Sequence, residues 1–216
     1  MVRETIVGPG PYESCIPPAG ARLSPAQQAT PHPAAGSACS AALEDMQTTQ
    51  NLAREIPQLG RYRIDPDGST VRFRTRHLFG LAPVRGRFAF RAGTVDVAEP
   101  LTGSRIQAEI ESASFRTRNP VRDTQVRSTG FLAADEHPVL AFSSTGLAGQ
   151  VIDGTLTVRG VTRPVSVLAE VTGVTPREFT ARATVRIDRY DFGVTASRGL
   201  AGRYLDVTME VRCVRS

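Results

Sequence analysis

The sequence predicts an all-β antiparallel domain over residues 60–216, preceded by a Pro- and Ala-rich segment over residues 1–59. Three observations lead there. From residue 61 onward, apolar side chains recur at every second position, the period of strands with one dry and one wet face. About nine such runs are separated by turn residues, as at Pro66-Asp67-Gly68, Arg91-Ala92-Gly93 and Asp153-Gly154. A single short stretch reads as helix, so the crossovers that parallel strands require are missing.

Taken in order, Val71 and Phe73 alternate with Arg72, Arg74 and Arg76, and Val84, Gly86, Phe88 and Phe90 with Arg85, Arg87, Ala89 and Arg91. Ile106, Ala108 and Ile110 follow against Gln107, Glu109 and Glu111. The helix spans 119–126, with Asn119 placed to accept from free backbone N–H groups and Pro120 at the first helical position. Asp135-Glu136-His137, closed by Pro138, reads as the turn back to the sheet. Ile152, Leu156 and Val158 come next, then Val165, Val167, Ala169 and Val171. Ala181, Ala183, Val185 and Ile187 face Arg182, Thr184, Arg186 and Asp188, and Asp191-Phe192-Gly193 continues or ends that strand. The last run is Leu205, Val207, Met209, Val211 and Cys213. Sandwich and barrel share this alternation. Unbroken runs over 161–172 and 177–188 favour a barrel, since strands of near ten residues at roughly 3.3 Å each give staves of about 33 Å, and eight such staves enclose one small ligand.

All nine Phe lie after residue 60, whereas residues 1–60 hold 8 of the 15 Pro and only Tyr12 among the aromatics. Such a segment buries too little apolar surface to offset its ordering entropy and is expected to be disordered. No apolar stretch of the kind a signal peptide needs follows Met1, so the expected location is cytoplasmic, and Met46 is a candidate start of translation. All 26 basic residues other than His are Arg. A chain without Lys has no phosphate-loop lysine, Schiff base or kinase centre, whatever Asp191-Phe192-Gly193 suggests. Three Cys (Cys15, Cys39, Cys213) and three scattered His (His32, His77, His137) argue against a zinc site or a disulfide scaffold. Residues 61–216 carry 23 Arg and 16 acids, a basic balance that favours anionic partners without choosing among them.

Arg61-Tyr62-Arg63-Ile64-Asp65, with Ser69, Val71, Phe73 and His77, begins a stretch that resembles the YceI-like family. The resemblance continues to about residue 213 and is sharpest over 154–165 and at Ile187-Asp188-Arg189-Tyr190-Asp191-Phe192-Gly193. Ser114-Phe115-Arg116-Thr117, Arg122-Asp123, Ser128 with Phe131, and His137-Pro138 followed by Phe142-Ser143 also match. It implies a lipocalin-like eight-stranded antiparallel barrel whose apolar pore holds a long isoprenoid chain, such as a quinone tail or a polyprenyl phosphate, and which carries or senses lipid without catalysis. The chain departs from the family in three ways. Gln125-Val126 stands where relatives often have His-Leu, no export signal is visible although many relatives are exported, which makes a periplasmic location the alternative, and the absent Trp removes the Gly-x-Trp signature of true lipocalins.

The lining expected of such a pore is Phe73, Phe88, Phe90, Phe142, Leu156 and Val158, all of inward parity, the competing reading being a packed core. Four isoprene units gain roughly 16 kcal/mol on burial at about 0.8 kcal/mol per carbon, before ordering costs. His77, inward and next to the Leu78-Phe79-Gly80 turn, is the candidate donor to a head group at the mouth, against a histidine satisfied by backbone carbonyls. Arg122 and Asp123 are expected to act as a pair that anchors the helix to the barrel wall, the competing reading being contact with a head group. The outward stripe of Arg72, Arg74, Arg76, Arg85, Arg87 and Arg91 is a solvated face or a surface for transient membrane contact. It holds no interleaved aromatics, so nucleic acid is not expected. The expected partners are an apolar lipid and a second copy of the chain in a homodimer. No cofactor is required, and no serine elbow, Cys-His pair or carboxylate dyad stands out. A small-molecule enzyme acting at the barrel mouth and an Arg-rich module for an anionic partner are the alternatives.

Overall fold

The structure is a computed structural model that describes residues 56–77 and 81–216, the side chain of His77 excepted. The 1–55 segment, with its expected disorder and the Met46 start, lies outside the described residues.

Ten strands form one closed antiparallel sheet. They are β1 (Gly60–Ile64), β2 (Thr70–His77), β3 (Ala82–Phe88), β4 (Phe90–Val97), β5 (Arg105–Glu111), β6 (Val139–Ala148), β7 (Val151–Val158), β8 (Val161–Val174), β9 (Glu178–Asp188) and β10 (Tyr204–Arg215). Eight staves result, because two of them are interrupted. β1 and β2 both run along β10, with Ile64 opposite Cys213 and Thr70 opposite Glu210, and the Pro66-Asp67-Gly68 turn bulges out between them. β3 and β4 likewise form one stave along β2 and β1, broken only at Ala89. The remaining staves follow in chain order, and β1 on β10 closes the barrel. Closure through β1 and β10 pairs most strands on both sides; β3 pairs with β2 alone, and its other side meets only the Arg87–Arg116 bridge.

Two of the expected turns are strand interior. Arg91-Ala92-Gly93 lies within β4, where the register against β5 slips between Phe90 and Ala92. Gly93 is there for close approach, since an added Cβ would meet Ile64 Cδ1 at 2.5 Å and the Gln107 carbonyl at 2.8 Å. Asp153-Gly154 lies within β7, and the chain reverses at 149–150 instead, where Gly149 has a φ of 58°. Asp191-Phe192-Gly193 is neither strand nor strand end but part of a 3-10 turn, Arg189–Phe192, closed by Gly193 at φ 72°. A left-handed residue there suits glycine.

The helix, α1 (Pro120–Arg127), sits in the long β5–β6 connection. Asn119 caps it by accepting from the Arg122 N–H at 3.1 Å. The expected Arg122–Asp123 pairing is replaced by another. Buried Asp123 accepts from the Thr117 N–H at 2.8 Å and from its hydroxyl at 2.6 Å, and so ties the helix to the preceding loop. Arg127 adds a second tie through the Phe115 carbonyl at 2.6 Å. A carboxylate one turn into a helix does better against N–H and O–H donors beside it than against a neighbour that points elsewhere. From the opposite direction, residues 56–59 run against β1 and β10, with the Tyr62 hydroxyl donating to the Gln58 carbonyl at 2.8 Å.

Candidate functional site

The barrel interior is hollow. An upper chamber of about 450 Å³ lies under α1 and the 189–203 connection. A lower chamber of about 300 Å³ lies toward the β6–β7 turn and the 56–57 segment. Ile110 and Leu156 line both, so these two side chains form the waist between them. Most inward side chains on the staves are apolar, because alternate residues share one face, with Thr75 of β2 among the polar exceptions.

Phe73, Phe88 and Val158 line the upper chamber, Phe90 and Phe142 the lower, and Leu156 both. Phe73 stacks on Phe115 with centroids 5.1 Å apart, and Phe88 meets Phe115 edge-on at 5.3 Å. Such pairings add stability beyond area burial. Phe73 and Phe142 do not project into the lumen, because each ring lies across an inward glycine of the neighbouring stave. A Cβ on Gly86 would collide with the Phe73 ring, and one on Gly154 would come within 2.6 Å of the Phe142 ring. His77 ends β2 opposite Ala82. Its side chain, and with it the expected head-group donor, lies outside the described residues, as does the 78–80 turn.

One wall of the upper chamber carries a charge. Arg189 is 7% exposed and donates to the carbonyls of Gly202 at 2.8 Å, Val194 at 2.5 Å and Ala201 at 3.1 Å. Burial lowers its pKa, while Tyr190 and Asp188 nearby act in the opposite direction. Its bonds are to neutral acceptors, so the guanidinium serves first to hold the 193–203 connection against the barrel. Cys213, 1% exposed, lines the lower chamber, and burial pushes its thiol up to about 12. Among the described residues, no cluster of His, Cys, Asp and Glu is arranged to hold a metal, and no helix is long and apolar enough to cross a membrane.

The YceI-like domain family matches residues 62–214. The chain belongs to the YceI-like family. A UPF0312 protein of Pseudomonas aeruginosa is 30% identical over 169 residues, covering 71% of this chain and 86% of that protein. A UPF0312 protein of Shewanella baltica is 29% identical, covering 76% and 92%. Among solved structures, BcnA of Burkholderia cenocepacia aligns with a TM-score of 0.62 at 21% identity, over 69% of this chain and 98% of its own. A polyisoprenoid binding domain from Saccharophagus degradans, implicated in plant cell wall breakdown, aligns with a TM-score of 0.60 at 15% identity, over 74% and 100%. These structures share the barrel.

Relative to the sequence reading, this YceI-like barrel adds lining from its connections. Phe115, Phe131 and Leu132, all buried, reach the upper chamber from the β5–β6 connection, where no period exists to assign them a face. Arg189 is different. It continues the inward series Ala183, Val185, Ile187, so the alternation itself signals a charge pointing inward.

Proposed function

We propose that this chain binds a polyisoprenoid or a similarly long apolar lipid, sequestering or carrying it with the tail threaded through both chambers. The observation that carries this reading is the pair of apolar chambers inside the barrel, about 450 and 300 Å³, which share Ile110 and Leu156 as lining. Membership of the YceI-like family and the barrel shared with a polyisoprenoid binding domain support it. Binding rather than turnover suits such a pore, since enclosure needs no reactive group and gains about 0.8 kcal/mol per buried carbon.

Transient contact with an anionic membrane surface belongs to the same reading. On the outer face Arg72 lies opposite Arg87 and Arg74 opposite Arg85. Glu210 pairs with Arg72 at 3.0 Å and Asp206 lies opposite Arg74, and the arginines still outnumber these acids on a face that an anionic surface would complement. We place the chain in the cytoplasm, which fractionation of the producing cell tests.

Native mass spectrometry of gently purified protein tests the main reading. A bound species with the mass of an isoprenoid lipid is expected, with delipidated protein regaining it from a polyprenol. Empty protein that takes up no polyprenol refutes it.

A further inference from the structure

Outside the barrel, where β2, β9 and β10 meet the 193–203 connection, lies a cleft of about 490 Å³. Arg74, Arg76, Arg186 and Arg203 line it with Tyr190 and Tyr204, and among the described residues of the lining Asp206 is the only acid. This basic character follows from the register of the sheet. On the outer face one row runs Arg186, Asp206, Arg74, Arg85 across β9, β10, β2 and β3, three arginines to one carboxylate. Asp206 approaches Arg186 only to 3.9 Å, and Arg74 forms no ion pair among the described residues. Arg203 is engaged by Asp188 at 2.6 Å.

One wall of the cleft is the 199–202 segment. Gly202 packs so closely on β2 that a Cβ would run into the Arg76 backbone and the Thr75 hydroxyl, and from within the barrel Arg189 holds the Ala201 and Gly202 carbonyls. That pinned segment closes the cleft off from the upper chamber, so a ligand of the cleft arrives from outside.

The guanidinium groups are held in place before any ligand binds. Arg198, Tyr190, Arg203, Tyr204 and Arg186 follow one another as alternating guanidinium groups and phenol rings, at 5.2, 5.2, 5.2 and 4.5 Å from group to ring centroid. Stacking of this kind lowers the ordering entropy that a long side chain loses on binding. It also occupies the rings. Tyr190 carries Arg189, Arg198 and Arg203, and Tyr204 carries Arg186 and Arg203, so neither ring is a free platform for a nucleobase. Arg74 and Arg186 lie two strands apart, with about 9–10 Å between their backbones. One phosphate bridges that span poorly, whereas two linked phosphates reach both sides, each offering oxygens that match a guanidinium fork. A bilayer surface meets only the rim of such a concavity, so a compact solute is the better fit.

We propose that this cleft is a binding site for a compact soluble diphosphate, either inorganic pyrophosphate or a small diphosphate ester, independent of anything the barrel holds. Isothermal titration of the full chain with inorganic pyrophosphate tests it, with sulfate as the single-anion comparison. Saturable binding is expected, at least about tenfold tighter for pyrophosphate than for sulfate at low salt and weakening as salt screens it. Arg74→Gln/Arg186→Gln, both on the outer face, is expected to weaken pyrophosphate binding by about tenfold or more. Arg63→Gln/Arg177→Gln removes the same charge from exposed positions of β1 and the β8–β9 connection and is expected to change it by less than about threefold. A thermal melt verifies that each variant folds, and Arg74→Gln alone replaces the double variant if that one does not. Absence of saturable pyrophosphate binding by the wild type overturns the site, as does equal weakening in the two double variants, which would mark attraction by net charge alone. Vesicles containing phosphatidic acid separate the remaining source of phosphate: binding to them that the cleft variant loses, with no binding of pyrophosphate, assigns the cleft to a membrane surface and overturns the soluble ligand.

Discussion

Filling the lower chamber separates ligands by length. Ala181 of β9 lines that chamber, with Val171 and Val211 on the neighbouring staves. Ala181→Phe places a six-carbon ring in a cavity of about 300 Å³. If the tail of a long ligand passes the Ile110–Leu156 waist, the ring displaces about six of its carbons. At about 0.8 kcal/mol each the full loss is about 5 kcal/mol. The displaced segment refolds partly against the remaining apolar wall, so about half of that is the expected net cost, a weakening of roughly 30- to 150-fold. A prenol of two isoprene units, accommodated by the upper chamber alone, is expected to change by less than about twofold. Calorimetric or fluorescence-competition titration with prenols of two and eight units reads both. Equal weakening of the two ligands, or none for the longer one, would refute a tail that crosses the waist.

Three further outcomes follow from single side chains. Arg189→Met leaves three inward carbonyls without their charged donor and is expected to lower unfolding free energy by about 3–5 kcal/mol, read by urea denaturation; a loss under about 1 kcal/mol contradicts the pinning role. Burial raises the Cys213 thiol from an ordinary value near 9 to about 12, so its folded form keeps a proton that the unfolded chain gives up. The stability it contributes is complete below about pH 9 and falls as pH rises toward about 12, and Cys213→Ala is expected to flatten that decline in urea midpoints taken from pH 8 upward. The Ser112 hydroxyl is fully buried without a hydrogen-bond partner among the described residues, so Ser112→Ala is expected to raise stability by about 1 kcal/mol in the same assay.

The legible part of the molecule was whatever the period of two governs. Inward and outward faces of β2, β3, β5, β9 and β10 follow directly from alternation, and the cap at Asn119 follows from its residue type. Two turn assignments failed for one reason. Gly93 and Gly154 are small to let a neighbour approach, and from composition alone that is indistinguishable from a glycine that reverses the chain. Bulges have a similar effect, since slips at Phe90/Ala92 and Val171/Gly173 change which parity faces inward partway along a strand. The Arg cleft was half legible. The stripe on β2 and β3 was visible as a basic face, but its convergence with Arg186 and Arg203 depends on β10 lying between β2 and β9, a pairing that the alternation does not specify.

Whether inward phenylalanines fill a barrel or merely line it depends on what faces them across the wall. A phenylalanine opposite a β-branched residue is pushed toward the axis, where rings from several staves meet and close the core. Phe73 lies directly opposite Gly86, and Phe142 is next to Gly154 on the adjoining stave, so each ring folds down into the gap left by a missing side chain. The rings then spend their surface on the wall, and the axis stays open. Hollowness here is therefore encoded by two small residues placed beside two large ones, one pair in each chamber. An alanine at either position would drive its ring inward, narrowing the same space that a lipid tail would need.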